Sequence, residues 1–156
     1  MQSKYFKALF AMGIGATLAG PAFAHVTLAP KEAQAGSDAE IAFNVPHGCD
    51  GSATTALRIK VPDSVTTFKP QPKAGWTVDV KPGEVGWSGG RLPDKVTEAF
   101  RLQAVLPANS GATLYFPVVQ ECEKGVHRWI EIPQSTQPSE RLRDPAPALK
   151  LTPKAP

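Results

Sequence analysis

Glu98-Ala99-Phe100-Arg101-Leu102-Gln103-Ala104-Val105-Leu106 puts Phe100, Leu102, Ala104 and Leu106 at every second position, with Arg101 and Gln103 between them. A period of two is that of a strand with one face in a core. Glu40-Ile41-Ala42-Phe43-Asn44-Val45 alternates in the same way, as do residues 55–61, 76–81 and 126–132, each bounded by Gly, Pro, Asp or Asn turn residues. Residues 113–119 are nearly all apolar, the pattern of a central strand, and Pro117 marks a bulge or an edge within it. A last short strand is expected over 148–151. Prolines spread from Pro30 onward leave few windows long enough for a helix. Pro70 to Gly75 and Gly86-Trp87-Ser88-Gly89-Gly90 read as turns. The pattern predicts an all-β chain, an immunoglobulin/fibronectin-like β-sandwich of about seven to nine strands with one disulfide.

Upstream of this pattern the composition changes. Lys4 and Lys7, the apolar run Ala8 to Leu18, and Pro21 before Ala22-Phe23-Ala24 form the three regions of a secretory signal peptide, so residues 1–24 are expected to be removed. The expected organisation is one domain over 25–152 and a frayed tail over 153–156. Of the 156 residues, 17 are Lys or Arg and 14 are Asp or Glu, a formal charge of +3. Loss of Lys4 and Lys7 brings this close to balance. With no basic run left, nucleic acid is excluded as a partner class, and no other apolar stretch approaches a membrane span. The expected location is the periplasm.

Export bears on two residue types. Cys49 and Cys122 are the only cysteines, and two thiols in an oxidising compartment are expected to form a disulfide. Cleavage after Ala24 would make His25 the first residue, with an α-amine beside its imidazole. The amine and Nδ1 can then close a six-membered ring on one metal ion, and an α-amine deprotonates near about pH 8, well below a lysine. Nitrogen and oxygen donors in a tetragonal array suit Cu(II). Met1 and Met12 leave with the leader, so no thioether remains for Cu(I). The other imidazoles are His47, in the turn-rich loop Val45-Pro46-His47-Gly48-Cys49-Asp50-Gly51, and His127, two residues from Trp129 and on the same strand face. His127 reads as an ordinary edge histidine.

Other chemistries could draw on the same residues. Cys122 and His127 could belong to a blue-copper electron carrier with His47, but that needs Cys122 as a free thiolate and lacks an axial methionine. A hydrolase has no Gly-x-Ser-x-Gly elbow or comparable motif to support it. Trp76, Trp87 and Trp129 are by default packing residues of the sandwich.

His25-Val26-Thr27-Leu28-Ala29-Pro30, Gly75-Trp76, Val85 to Gly90 and Trp129-Ile130-Glu131-Ile132-Pro133 resemble the opening and internal blocks of the YcnI-like family of exported copper-binding proteins. His47-Gly48-Cys49, Gln120 to Gly125 and Pro145 to Leu149 are similar to its proteobacterial branch. The resemblance spans nearly the whole chain after residue 24. It implies a sandwich that binds Cu(II) through the amine and imidazole of His25, a single-histidine brace, with a carboxylate ligand and Trp129 nearby. No glutamate lies between Val45 and Gly51, so Asp50 or His47 is expected to replace the family's carboxylate. The function so implied is a periplasmic Cu(II) carrier, buffer or metallochaperone without turnover. Its expected partners are another periplasmic copper carrier or a membrane copper transporter. The alternatives are a copper-dependent enzyme of the polysaccharide monooxygenase type and a cupredoxin-like electron carrier.

Overall fold

The computed structural model describes residues 25–134 and 142–154. The leader expected at 1–24 and the last two residues of the expected tail lie outside them. The apolar alternation forms strands as anticipated, and hydrogen bonding resolves twelve. They are β1 (Thr27–Ala29), β2 (Glu32–Gln34), β3 (Asp38–Val45), β4 (Thr54–Lys60), β5 (Thr67–Pro70), β6 (Thr77–Lys81), β7 (Glu84–Leu92), β8 (Glu98–Val105), β9 (Thr113–Tyr115), β10 (Val118–Cys122), β11 (Val126–Trp129) and β12 (Ala148–Thr152).

Two sheets carry the sandwich: β1-β3-β8-β5, and β11-β10-β4-β7-β6. Their nine strands reach the upper end of the expected number. The remaining three make a small sheet, β2-β12-β9, in which β12 runs parallel to β2 and antiparallel to β9. The central pair β3 and β8 is in register from Asp38↔Val105 to Val45↔Glu98, which sets Ile41 opposite Leu102 and Phe43 opposite Phe100 on the buried face. From the facing sheet Trp87 meets Phe100 at 5.6 Å between ring centroids, and Phe43 meets Phe116 at the same separation. These edge-to-face pairs join the sheets through rings that remove large apolar areas from water.

Two sequence readings need correction. Gly86 to Gly90 is the middle of β7 rather than a turn. Gly90 serves packing: the indole of Trp76 lies over it, and an added Cβ would sit 2.2 Å from a ring carbon. Residues 113–119 are also two strands, not one, because Pro117 has no N–H for the ladder and the chain passes from β9 in the small sheet to β10 in the large one.

Cys49 and Cys122 form the expected disulfide, with Cα atoms 5.9 Å apart. It ties the loop after β3 to the end of β10, across the two main sheets. On the outer face of β3, Glu40 accepts hydrogen bonds from Gln71 at 2.7 Å and Arg101 at 2.6 Å. The Gln71 amide first, and then Arg101, hold its carboxyl below the ordinary range.

Candidate metal centre

Strand β11 is the edge of the five-stranded sheet, and its Trp129 turns inward until only 3% of its surface is exposed. A buried indole needs an acceptor for its N–H. Nε1 donates to Oε1 of Gln120 at 3.1 Å. The amide nitrogen of Gln120 donates in turn to the His47 carbonyl at 2.7 Å and to Oγ1 of Thr54 at 2.8 Å. One buried glutamine thereby joins β10, β11, β4 and the loop that carries His47.

His25 lies two residues before β1, and the first residue inward, Val26, is buried. Its ring meets Trp129 edge-on, with centroids 5.1 Å apart and planes at 67°. Nε2 is 3.0 Å from the carbonyl of Arg143. A carbonyl only accepts, so Nε2 holds the proton and the lone pair of the neutral ring sits on Nδ1. Metal-binding imidazoles are commonly oriented by such a bond from the other ring nitrogen. Arg143 is placed by its neighbour Asp144, whose N–H donates to the Glu131 carboxylate at 2.9 Å and whose carbonyl accepts from Glu131 N–H at 3.0 Å. The segment after residue 141 is thus clipped to the end of β11, beside Trp129.

Two more imidazoles reach the same indole. His127 is directly opposite Gln120 in the β10–β11 register, and its ring lies 5.0 Å from that of Trp129 at a tilt of 32°. His47 is 6.5 Å from Trp129 and 6.0 Å from His127, ring centroid to centroid. Its Nδ1 donates to the carbonyl of Gly48, and Gly48 N–H donates to Oδ1 of Asp94 at 2.9 Å. All three histidines of the chain surround Trp129.

Asp50 stands apart. It occupies the exposed tip of the turn closed by Cys49 and Ser52, with a φ of +48°. Among the described residues no contact joins it to His25 or Trp129. The carboxylate that hydrogen bonding brings to the His47 loop is Asp94, which the sequence reading did not single out. His127 was signalled by its spacing from Trp129 and by the blue-copper reading with Cys122. The disulfide uses both sulfurs and removes Cys122 from any thiolate role. Among the described residues no three His, Cys, Asp or Glu side chains lie close enough to hold a metal ion by themselves. A metal centre at His25 built from the described side chains alone would have fewer than three such donors.

Residues 25–151 match the family described as Domain of unknown function (DUF1775). The chain belongs to that family. Among solved structures, this DUF1775 chain is similar to an uncharacterized protein from Nocardia farcinica with an immunoglobulin-like fold, at 27% identity and a TM-score of 0.68. The likeness covers 82% of this chain and 98% of that one. CaCohA2 from Clostridium acetobutylicum follows at 12% identity and a TM-score of 0.47, over 82% and 91% of the two chains. The seventh ScaB type I cohesin from Pseudobacteroides cellulosolvens has 5% identity and a TM-score of 0.43, over 83% and 86%. Both are too distant to bear on the site. No curated protein matches the DUF1775 chain.

Proposed function

We propose that this DUF1775 protein is an exported Cu(II) carrier or buffer of the YcnI-like kind, acting in copper homeostasis without turnover of its own. The observation that carries the reading is the Nε2 bond from His25 to the Arg143 carbonyl. It leaves Nδ1 as the ring donor on the side of the chain where an α-amine would appear after cleavage at Ala24. An amine and Nδ1 of one residue form a compact chelate for a borderline dication, and copper heads the divalent series for such donors. Trp129 against the imidazole limits its rotation and shields one side of the ion. Delivery would be to another periplasmic copper carrier or to a membrane copper transporter.

An oxidative enzyme acting on polysaccharide is less well supported. Such a role calls for a flat aromatic surface beside the metal, and among the described residues the strongly exposed large apolar side chains are valines and isoleucines.

The test is an electron paramagnetic resonance titration with Cu(II) on chain beginning at His25, beside a variant with one extra residue before it. A tetragonal signal saturating at about one equivalent in the first and absent from the second is the expected result. The same signal in both would remove the brace.

A further inference from the structure

The peptide between Arg143 and Asp144 is bonded at both ends. Its carbonyl oxygen accepts from Nε2 of His25 at 3.0 Å, and its N–H donates to Oε2 of Glu131 at 2.9 Å. The two groups of a trans peptide point in opposite directions, so the imidazole and the carboxylate lie on either side of one planar unit and are joined by it. We propose that Glu131 is a positioning residue for the copper chelate, holding the His25 ring through this peptide and thereby raising the affinity for Cu(II), a role that rests on the N-terminal chelate proposed above.

Solvent alone would not choose this placement. Ile130 and Ile132 are 44% and 42% exposed, while Glu131 between them is half-buried. An acid turned inward between two isoleucines turned outward reverses the ordinary preference of both residue types. Nor is the side chain needed to fasten the segment after residue 141. Glu131 N–H donates to the Asp144 carbonyl at 3.0 Å and Ala146 N–H to the Glu131 carbonyl at 2.8 Å, a backbone bridge that does not depend on the side chain at 131. The carboxylate adds a further bond, and that bond falls on the same peptide that receives the His25 proton.

Two effects follow. With its N–H held, the peptide plane resists rotation, and its carbonyl keeps the His25 proton on Nε2 and the lone pair on Nδ1, the donor that the chelate uses. The negative charge at the N–H also polarises the peptide, and polarisation of this kind strengthens the next bond in a chain by roughly 10–30%. A stronger bond from Nε2 makes the ring a better electron donor, as a carboxylate does when it bonds a metal-binding imidazole directly. Here a peptide stands between the two.

The experiment compares the chain beginning at His25 with its Glu131→Gln and Glu131→Ala variants. Without metal, long-range proton–nitrogen correlation spectra read which ring nitrogen of His25 holds the proton, and the shifts of its carbon-bound ring protons read its place against the Trp129 indole. With Cu(II), competition against a chromophoric chelator reads the affinity. Glu131→Ala should mix the two His25 tautomers, reduce the ring-current shifts and lower the affinity by at least about tenfold. Glu131→Gln keeps an acceptor for the Asp144 N–H but no charge, so it should restore the tautomer and bind about threefold more weakly than the parent. Melting temperatures of the metal-free variants check the fold. If Glu131→Ala melts below the parent, Glu131→Gln decides alone, and an affinity equal to the parent's overturns the role. His25 signals unmoved in a stably folded Glu131→Ala, or an affinity indifferent to both substitutions, overturn it as well. A parent that binds Cu(II) without the N-terminal chelate, or not at all, removes the function proposed above and this role with it, whereas normal chelation indifferent to Glu131 removes this role only.

Discussion

Gln120 is the residue on which the centre turns. It is 1% exposed, and its amide satisfies the Trp129 N–H, the His47 carbonyl and the Thr54 hydroxyl. Among the described residues no buried side-chain nitrogen or oxygen lacks a partner. Gln120→Leu keeps the volume but strands these groups, and each unsatisfied buried group costs about 1–3 kcal/mol. The expected loss is about 2–4 kcal/mol in urea denaturation, with a changed near-ultraviolet signal from Trp129. A variant as stable as the parent would show that the network relaxes onto water. His25 was singled out in the sequence by the expected cleavage at Ala24 as well as by a resemblance, Trp129 by the resemblance, and His127 by its spacing from Trp129. Gln120 was not, because a glutamine in an alternating strand reads as an outward residue until the facing loop is known. Asp94 was hidden for the same reason: its link to Gly48 crosses 46 positions of chain.

At the level of the strands, alternation was a reliable guide wherever one face is buried, as in β3 and β8. It failed where glycine stands in for packing. Gly86 to Gly90 carries the residues of a turn, and the position of Trp76 explains why the strand keeps Gly90. Trp76 touches Phe100 at 4.9 Å and covers Gly90. Gly90→Ala must displace that indole and should cost about 1–3 kcal/mol, read as a lower urea midpoint with a shifted Trp76 emission. Gly86→Ala provides the contrast in the same strand, since its Cβ would meet nothing nearer than 3.6 Å. Equal effects of the two substitutions would refute the packing account. The three-residue strands β1 and β2 were likewise invisible, being too short to display a period.

For the molecule as a whole, the disulfide joins residues 73 positions apart. Closing a loop of that size should stabilise the fold by about 4 kcal/mol in the chain-entropy account. Cys49→Ala combined with Cys122→Ala is expected to lose that amount in denaturation while keeping the far-ultraviolet spectrum of a sandwich. A loss below about 1 kcal/mol would place the bridge's worth in local order near His47 instead.

Strand β12 sits between β2 and β9, and its Lys150 N–H also donates to the carbonyl of Lys31 near the start of the domain. The small sheet therefore has no middle until residues 148–152 have been made. Its first strand must wait unpaired through the synthesis of the rest, so folding cannot proceed in the order of translation. Pairings of such sequence separation are slow to form, on the order of milliseconds to seconds for sandwiches. Throughout that delay β2 and β9 lack their shared partner, while every strand of the two main sheets is already present by Trp129.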